Sequence, residues 1–263
     1  AMPRAAADRA RRVVEHQWAK GLIGSMNTAG WYELPSTLGQ KIAPIVGAKP
    51  NEVVLTDSTG INLYKVLASA LQIRPDRRVV VMEGSNFPTN NYMVQGLLEQ
   101  LGDGYTIRYA EAENILDAID DDVAAICITH VHYKTGNILD MAAITDRAHA
   151  VGAAAVWDLC HSAGAMPVEL NACNVDFAVA CTYKYINCGP GSPAILFAAE
   201  RHHGKFEQPL TGWYGHKAPF NFERDYVPVN DIRQMLSGTQ PTVSLSIAEI
   251  GIDLMLRADI NEI

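Results

Sequence analysis

Residues 151–161 read V-G-A-A-A-V-W-D-L-C-H, and residues 176–191 read D-F-A-V-A-C-T-Y-K-Y-I-N-C-G-P-G. Each is a short apolar run bounded by turn residues, the pattern of a strand buried in a parallel sheet. The first run ends at Asp158, and the second delivers Lys184 into a Gly/Pro turn. Charges at buried strand ends are costly unless paired, and ligands of open α/β sheets bind beyond the strand ends. The two segments therefore predict a ligand site that contains an acid and a lysine.

The composition indicates a globular chain with a large core. The 263 residues are 48% hydrophobic, the mean hydropathy is near zero and the formal net charge is -8. The negative charge argues against nucleic acid or an anionic membrane surface as a partner. No apolar run approaches the roughly 18 residues that span a bilayer, and charged residues interrupt the N-terminal region, so we expect a cytoplasmic protein. An odd number of cysteines without C-x-x-C spacing predicts free thiols at Cys127, Cys160, Cys173, Cys181 and Cys188.

Strand and helix patterns alternate along the chain with short connections, which predicts an α/β fold with a mostly parallel sheet flanked by helices. We expect an edge strand over 106–109 and helices over 91–101, 113–119 and 141–150. A further helix is expected over 61–71, where the apolar residues in phase are Ile61, Tyr64, Ala68 and Leu71.

Four loops supply groups that suit pyridoxal phosphate. The turn T-D-S-T-G over 56–60 precedes a helix, whose N-terminus favours a phosphate. Phe87 offers a face for the pyridine ring, Asp158 would keep the ring nitrogen protonated, and Lys184 would form the Schiff base. Each group alone has an ordinary structural explanation, such as a helix cap, core packing or a solvated loop lysine. The set, in this order along the chain, favours the cofactor.

Other polar and aromatic residues have less specific patterns. His130 and His132 stand two apart at a strand end, but no third ligand has suitable spacing, so no metal site is expected. Trp213 lies in a Gly-rich loop, where core packing and a ligand contact are equally compatible with the sequence.

Seven longer blocks are distinctive. They are D-S-T-G-I-N-L-Y-K-V-L (57–67), N-F-P-T-N (86–90), T-H-V-H-Y-K-T-G (129–136), W-D-L-C-H-S-A-G (157–164), Y-K-Y-I-N-C-G-P-G (183–191), Q-P-L-T-G-W-Y-G-H (208–216) and S-G-T-Q-P (237–241). Together they resemble the kynureninase family of pyridoxal-phosphate enzymes, which is related to class V aminotransferases and cysteine desulfurases. The resemblance covers nearly the whole chain.

The resemblance implies a fold, an assembly and a set of site residues. The fold is the large domain of the aspartate aminotransferase fold type I, with a mostly parallel seven-stranded sheet, and the assembly is a homodimer. Lys184 and Tyr183 would be catalytic proton carriers, and Asp158 would hold the pyridinium. The implied cofactor-binding residues are Thr59, Gly60, Phe87, Pro88, Thr89, Asn90, Thr129, Asp158, His161, Tyr183, Lys184, Trp213 and Thr239, of which Trp213 and Thr239 would reach the site of the other subunit.

The activity implied is hydrolysis of L-kynurenine or 3-hydroxykynurenine to anthranilate or 3-hydroxyanthranilate and L-alanine, a step of tryptophan catabolism. Two alternatives stay open. One is another class V enzyme, such as an aminotransferase, lyase or desulfurase, that acts on a different amino acid. The other is a catalytically silent protein of the same fold.

Three departures from the family pattern accompany the resemblance. Gly60 stands where the family has Ser or Thr, and Asn90 stands where it has Asp. The family's C-terminal small domain, with the arginine that binds the substrate carboxylate, is expected to be absent. We accordingly divide the chain into an N-terminal helical segment over 1–50, a cofactor-binding large domain over 51–240, and the start of a connection to that small domain over 241–263.

Overall fold

The computed structural model describes residues 2–102, 104–205 and 208–263, and within them seven strands form one sheet. The strands are β1 (Val53–Thr56), β2 (Val79–Glu83), β3 (Thr106–Ala110), β4 (Val123–Thr129), β5 (Ala154–Asp158), β6 (Phe177–Ala180) and β7 (Ala194–Ala198). Their order is β1-β7-β6-β5-β4-β2-β3. Only β7 runs against its neighbours, β1 and β6, whereas the other neighbouring strands pair in parallel. The predicted α/β fold with a mostly parallel sheet is confirmed.

Helices cover both faces of this sheet. They are α1 (Ala6–Arg12), continued by a π-helix (Val13–Trp18), α2 (Ser25–Thr28), α3 (Leu34–Ile42), α4 (Thr59–Ile73), α5 (Pro88–Leu101), α6 (Met141–Ala150) and α7 (Thr242–Met255). Short 3-10 turns occur in several of the connections.

The strand β5 shows why the central strands read as continuous apolar runs. Successive side chains of a strand point to opposite faces of the sheet. Ala155 and Trp157 belong to the core cluster on one face, whereas Ala154 and Val156 belong to the cluster on the other. Because helices bury both faces, every position must be apolar until the strand ends at Asp158.

The helices near both ends of the chain pack on this same core. Leu38 and Ile42 of α3 and Leu245 and Ile252 of α7 are buried in the cluster that contains Trp157. No helix in the part of the chain that the structure describes combines the length and apolarity needed to cross a membrane.

The prediction of a helix over 113–119 is wrong. The structure has a 3-10 turn at Ala112–Asn114 followed by further turns, although Ile115 and Ile119 are buried as the spacing indicates. Three consecutive acids follow at 120–122. Negative charge at a helix C-terminus opposes the helix dipole, so local sequence does not support extending this turn into a helix.

The helix predicted over 61–71 is confirmed within α4, but the face expected to be buried is only partly correct. Ala68 and Leu71 are buried, whereas Ile61 is 37% exposed. α4 packs on the sheet and also on α5, so more of its circumference is covered than the simple amphipathic pattern indicates. Lys65, a charged residue, is fully buried within it.

One edge of the sheet collects the polar groups that the sequence singles out. β1, β2, β4, β5 and β6 are mutually parallel, so their carboxyl ends meet at one edge. The segments that leave this edge carry Asp57, Phe87, Asp158 and Lys184. The sheet thereby brings together groups that are far apart in the sequence.

Candidate active site

A cavity of about 440 Å³ lies at the carboxyl edge of the sheet. Most of the residues predicted for the cofactor site line it, namely Thr59, Gly60, Phe87, Thr89, Asn90, Thr129, Asp158, His161, Tyr183 and Lys184. Pro88, Trp213 and Thr239 do not. Pro88 begins α5, and Trp213 and Thr239 lie exposed on the segment that precedes α7.

A second cavity, of about 620 Å³, is lined by residues that include Trp18, Trp31, Pro190 and Ile247. None of the described residues in its lining is charged. The smaller cavity is therefore the one with groups suited to acid–base chemistry.

The turn between β1 and α4 forms a cradle with the properties of an anion site. Asp57 adopts a left-handed conformation with φ of 40° and reverses the chain. Ser58 then caps α4, and its Oγ accepts a hydrogen bond from the Ile61 N–H at 3.5 Å. Thr59 and Gly60 follow as the first residues of this 15-residue helix. The free N–H groups of a helix N-terminus and its dipole favour a phosphate at this position.

Gly60 leaves this cradle open toward α5. A Cβ at Gly60 would stand 3.0 Å from Met93 Cε and 3.4 Å from Thr89 Cγ2. A side chain here would require the flexible Met93 to move by a few tenths of an ångström. The loss of a side-chain hydroxyl at this position leaves the backbone N–H groups in place.

Asp158 lies buried in the cavity floor with its carboxylate oriented by two donors. Its Oδ1 accepts from the Cys160 N–H at 2.8 Å, and its Oδ2 accepts from Asn90 Nδ2 at 2.6 Å. Asn86 joins the same network, because its Oδ1 accepts from Asn90 Nδ2 at 3.4 Å. The same oxygen accepts from the Phe87 N–H at 2.7 Å and from the Thr129 hydroxyl.

One donor of this network has no partner among the residues that the structure describes. The buried Asn86 Nδ2 makes no hydrogen bond to any described residue. Buried polar groups are nearly always satisfied, so an unpartnered donor in the cavity lining indicates room for an acceptor on a ligand.

Lys184 and His161 form the basic pair of the site. Lys184 Nζ lies 2.8 Å from His161 Nε2. Burial, and then the charge of Lys184, hold the pKa of His161 below its ordinary value of 6.5. His161 is therefore neutral near pH 7, and its Nε2 accepts the hydrogen bond that the Lys184 ammonium donates.

Tyr183 is exposed at the mouth of the cavity. Burial of part of its ring, and then the neighbouring Cys181, raise the pKa of Tyr183 above 10.0. The phenol thus carries its proton at neutral pH and can donate it.

Several lining residues were not predicted. Tyr133 packs edge-on against Phe87 with ring centroids 5.3 Å apart, and Cys160 Sγ lies 3.8 Å from Thr59 Oγ1. Tyr133 and Cys160 each follow the end of a central strand, which was the signal available in the sequence. The other lining residues outside the predicted set are Asp57, Ser58, Asn86, Met93, Gly191, Ser192 and Ala194.

His132, which lies just beyond the end of β4, makes hydrogen bonds through both ring nitrogens. His132 Nδ1 accepts from the Lys134 and Thr135 N–H groups at 3.3 and 3.2 Å, and its Nε2 lies 2.9 Å from the Ser85 carbonyl. Both ring nitrogens are therefore engaged within the loops. Across the described ranges, no group of three His, Cys, Asp or Glu side chains is arranged to bind a metal ion. All five cysteines are free thiols, and four of them are buried.

A family model for class V aminotransferases matches residues 25–263. The chain belongs to the class V aminotransferase family. This class V chain is 48% identical over 268 aligned residues to a kynureninase of Burkholderia mallei, which covers 100% of the chain and 64% of that protein. It is 47% identical over 264 residues to a kynureninase of Pseudomonas fluorescens, covering 98% of the chain and 64% of that protein. The chain thus spans 64% of the length of these curated relatives.

Several solved structures share the fold at low sequence identity. A cysteine desulfurase of Thermococcus onnurineus NA1 superposes with a TM-score of 0.80 at 22% identity, covering 100% of this chain and 66% of that chain. A cystine C–S lyase solved with its product, cysteine persulfide, superposes with a TM-score of 0.83 at 16% identity, covering 99% and 71%. At these identities the likeness concerns the fold alone.

Proposed function

We propose that this protein is a pyridoxal-phosphate-dependent hydrolase that converts L-kynurenine or 3-hydroxykynurenine to L-alanine and anthranilate or 3-hydroxyanthranilate. The observation that supports this most directly is the convergence of Asp158, the Lys184–His161 pair and the N-terminus of α4 on one cavity. The 48% identity to a curated kynureninase supports this reaction over others of the class V family.

The residues of the cavity fit the cofactor. Its phosphate needs N–H donors, which the first turn of α4 offers at Thr59 and Gly60. Its ring needs an apolar face and an acid at the nitrogen, which Phe87 and Asp158 offer. Its aldehyde needs an amine, which Lys184 offers. Asn86 Nδ2, which has no partner among the described residues, is available to an acceptor.

When bound, pyridoxal phosphate supplies an electron sink for the charge that develops on the substrate. Asp158 holds a proton at the ring nitrogen, and the Asn90 and Cys160 donors keep its carboxylate oriented toward that role. Lys184 Nζ takes and returns a proton, and the neutral His161 Nε2, 2.8 Å away, orients the amine.

Tyr183 is the second proton carrier. Its phenol is protonated near neutral pH because its pKa is raised, mainly by burial. A protonated phenol at the cavity mouth can donate to the leaving carbon or to the phosphate. In kynurenine hydrolysis, water adds to the γ-carbonyl and the Cβ–Cγ bond breaks, so the water supplies the hydroxyl of the new carboxyl group and, in balance, the hydrogen that ends on Cβ. One carrier would remove and return the Cα proton, and the second would deliver the proton to Cβ.

We further propose that the protein acts as a homodimer in the cytoplasm and degrades tryptophan-derived substrates. Trp213 and Thr239 lie outside the cavity of their own chain and are exposed, which suits residues that complete the site of a second subunit. The division into a segment over 1–50, a cofactor domain over 51–240 and a connection over 241–263 is part of the same proposal.

The test is an absorbance spectrum of the purified protein with pyridoxal phosphate, before and after L-kynurenine is added. We expect a visible band that Lys184→Ala abolishes, and anthranilate fluorescence when kynurenine is present. A visible band without anthranilate would favour another amino-acid substrate or a silent protein. If the wild-type protein showed no visible band with pyridoxal phosphate, the cofactor assignment would be contradicted.

A further inference from the structure

A buried lysine next to the cradle has no part in the chemistry described above. The side chain of Lys65, in α4, is 0% exposed. Its Nζ lies 2.7 Å from Asp57 Oδ2 and 2.8 Å from the Met235 carbonyl oxygen. Burial lowers the pKa of Lys65, whereas the charge of Asp57 raises it. A buried ammonium is costly, and these two acceptors are what keep it in place.

One partner of Lys65 belongs to the cradle. Asp57 lines the cavity, is partly exposed there and precedes the helix cap Ser58. Its left-handed conformation is an uncommon one for a residue other than glycine, so the turn needs external support. The same carboxylate oxygen accepts from the Thr56 hydroxyl at 2.9 Å, and the Ala194 N–H donates to the Asp57 carbonyl at 3.0 Å.

The other partner belongs to the segment that leads to α7. Met235 ends the 3-10 turn Ile232–Met235, and Gln240 follows five residues later. Gln240 Oε1 lies 3.0 Å from Thr56 Oγ1, beside the cradle. Lys65 and Thr56 therefore join the cradle to the segment over 232–240 at two points.

The charge of Asp57 makes its pairing important for an anionic ligand. A lone carboxylate in the turn that receives a phosphate would repel it, and the repulsion is strong where solvent screening is weak. The Lys65 ammonium at 2.7 Å neutralises this carboxylate from behind.

We propose that Lys65 is a positioning residue that holds the cradle of residues 57–60 against the segment over 232–240 and cancels the charge of Asp57, so that the cradle accepts a phosphate monoester. This inference rests on the proposed function, because it concerns the phosphate of the cofactor. It assigns to Lys65 a role toward the phosphate and none toward the ring or the aldehyde.

The experiment compares the binding of pyridoxal phosphate and of pyridoxal, which lacks the phosphate, by the visible absorbance that depends on Lys184. The variants are wild type, Lys65→Met and the double variant Asp57→Asn with Lys65→Met. We expect Lys65→Met to weaken pyridoxal phosphate binding by about tenfold or more while pyridoxal binding changes little. The double variant should recover much of the loss, because the uncompensated carboxylate is gone.

If Lys65→Met lost affinity equally for both ligands, or if the double variant did not recover affinity for pyridoxal phosphate, the inference would be overturned and the proposed function would stand. A wild-type protein that binds neither ligand would overturn both. If Lys65→Met fails to fold, the single variant Asp57→Asn tests the inference instead. It removes the carboxylate that the inference treats as repulsive, so the preference for pyridoxal phosphate over pyridoxal should be at least that of wild type, and a fall would contradict the inference.

Discussion

The amide of Asn90 replaces a second negative charge beside Asp158. Its Nδ2 donates to Asp158 Oδ2 at 2.6 Å, and a carboxyl at position 90 would face the same oxygen. Two carboxylates at this separation cannot both ionise readily, so one proton would be shared between them. The amide supports the Asp158 carboxylate without that competition.

We therefore expect Asn90→Asp to destabilise the cofactor-free protein increasingly as the pH rises. The folded variant would retain a proton that its unfolded chain releases above about pH 4. Folding then becomes less favourable by up to about 1.4 kcal/mol per pH unit between pH 5 and pH 7. Urea unfolding at several pH values measures this slope. The control Asn90→Ala removes the hydrogen bond without adding a charge, so its loss of unfolding free energy relative to wild type should be similar at each pH. A flat profile for Asn90→Asp would contradict the argument.

His161 offers a second test at the scale of single residues. Its pKa lies below 6.5 because of burial first and the Lys184 charge second. As the pH falls through this pKa, His161 gains a proton and can no longer accept from Lys184. We expect an NMR titration of the ring to give a midpoint below 6.5. In Lys184→Met the midpoint should rise, because the second-largest cause of the lowered pKa is removed while burial remains. A wild-type midpoint at or above 6.5 would refute this.

At the scale of elements, Asp176 links several elements by hydrogen bonds at the edge of the sheet opposite the site. It immediately precedes β6, and its side chain is 5% exposed. Its carboxylate accepts hydrogen bonds from Arg201 at 2.6 Å and from the Ala155 N–H of β5 at 2.7 Å. It also accepts one at 2.8 Å from His149, which lies in the last turn of α6. His202 completes the set at 2.6 Å. One carboxylate thus connects two strands, a helix end and the turn that follows β7.

Removal of the Asp176 charge should be strongly destabilising. Burial alone would raise the pKa of Asp176, but hydrogen bonds from His149, His202 and Ala155 lower it far below 3.8. The stabilisation is therefore present above the unfolded-state pKa near 3.8 and is lost as the pH falls toward the lower folded pKa. We expect Asp176→Asn to cost about 3–5 kcal/mol at pH 7, because the uncharged side chain breaks the ion pair of this buried carboxylate with Arg201 and weakens the hydrogen bonds from His149, His202 and Ala155.

Chemical denaturation measures this loss, and the difference from wild type should shrink below pH 3.8. The matched control is Asp8→Asn, because Asp8 is 80% exposed and, within the described part of the chain, forms an ion pair with the exposed Arg11 alone. A loss for Asp176→Asn no larger than that of the control would contradict the role assigned to the carboxylate.

At the scale of the whole molecule, the sequence was sufficient to predict the sheet and most of the cavity lining. Buried strands that end in a charged group, as β5 ends at Asp158, carry a signal that needs no tertiary information. The family blocks added Thr59, Asn90, His161 and Tyr183, all of which line the cavity.

Other features depend on contacts that local sequence does not encode. Lys65 lies in a helix that reads as amphipathic, and its burial follows from partners at positions 57 and 235. Tyr133 lines the cavity because Phe87, from a different loop, packs against its ring. The turns after Ala112 resemble a helix in their apolar spacing, but only one turn of 3-10 helix forms. For Lys65 and Tyr133 the deciding interaction is distant in sequence, whereas the three acids at 120–122, which oppose a longer helix, are local.

The pairing of β1 with β7 also determines when the site can take shape. Among the described strands, β1 pairs with β7 alone, with Val53 opposite Phe197. The Ala194 N–H at the start of β7 donates a hydrogen bond to the Asp57 carbonyl. A ribosome adds about 5–20 residues per second, so roughly ten seconds separate the synthesis of the two strands. Asp158, at the end of β5, and Lys184, in the loop after β6, are both synthesised within that interval. A nascent chain therefore possesses its acid and its amine before it possesses a finished receptor for the phosphate.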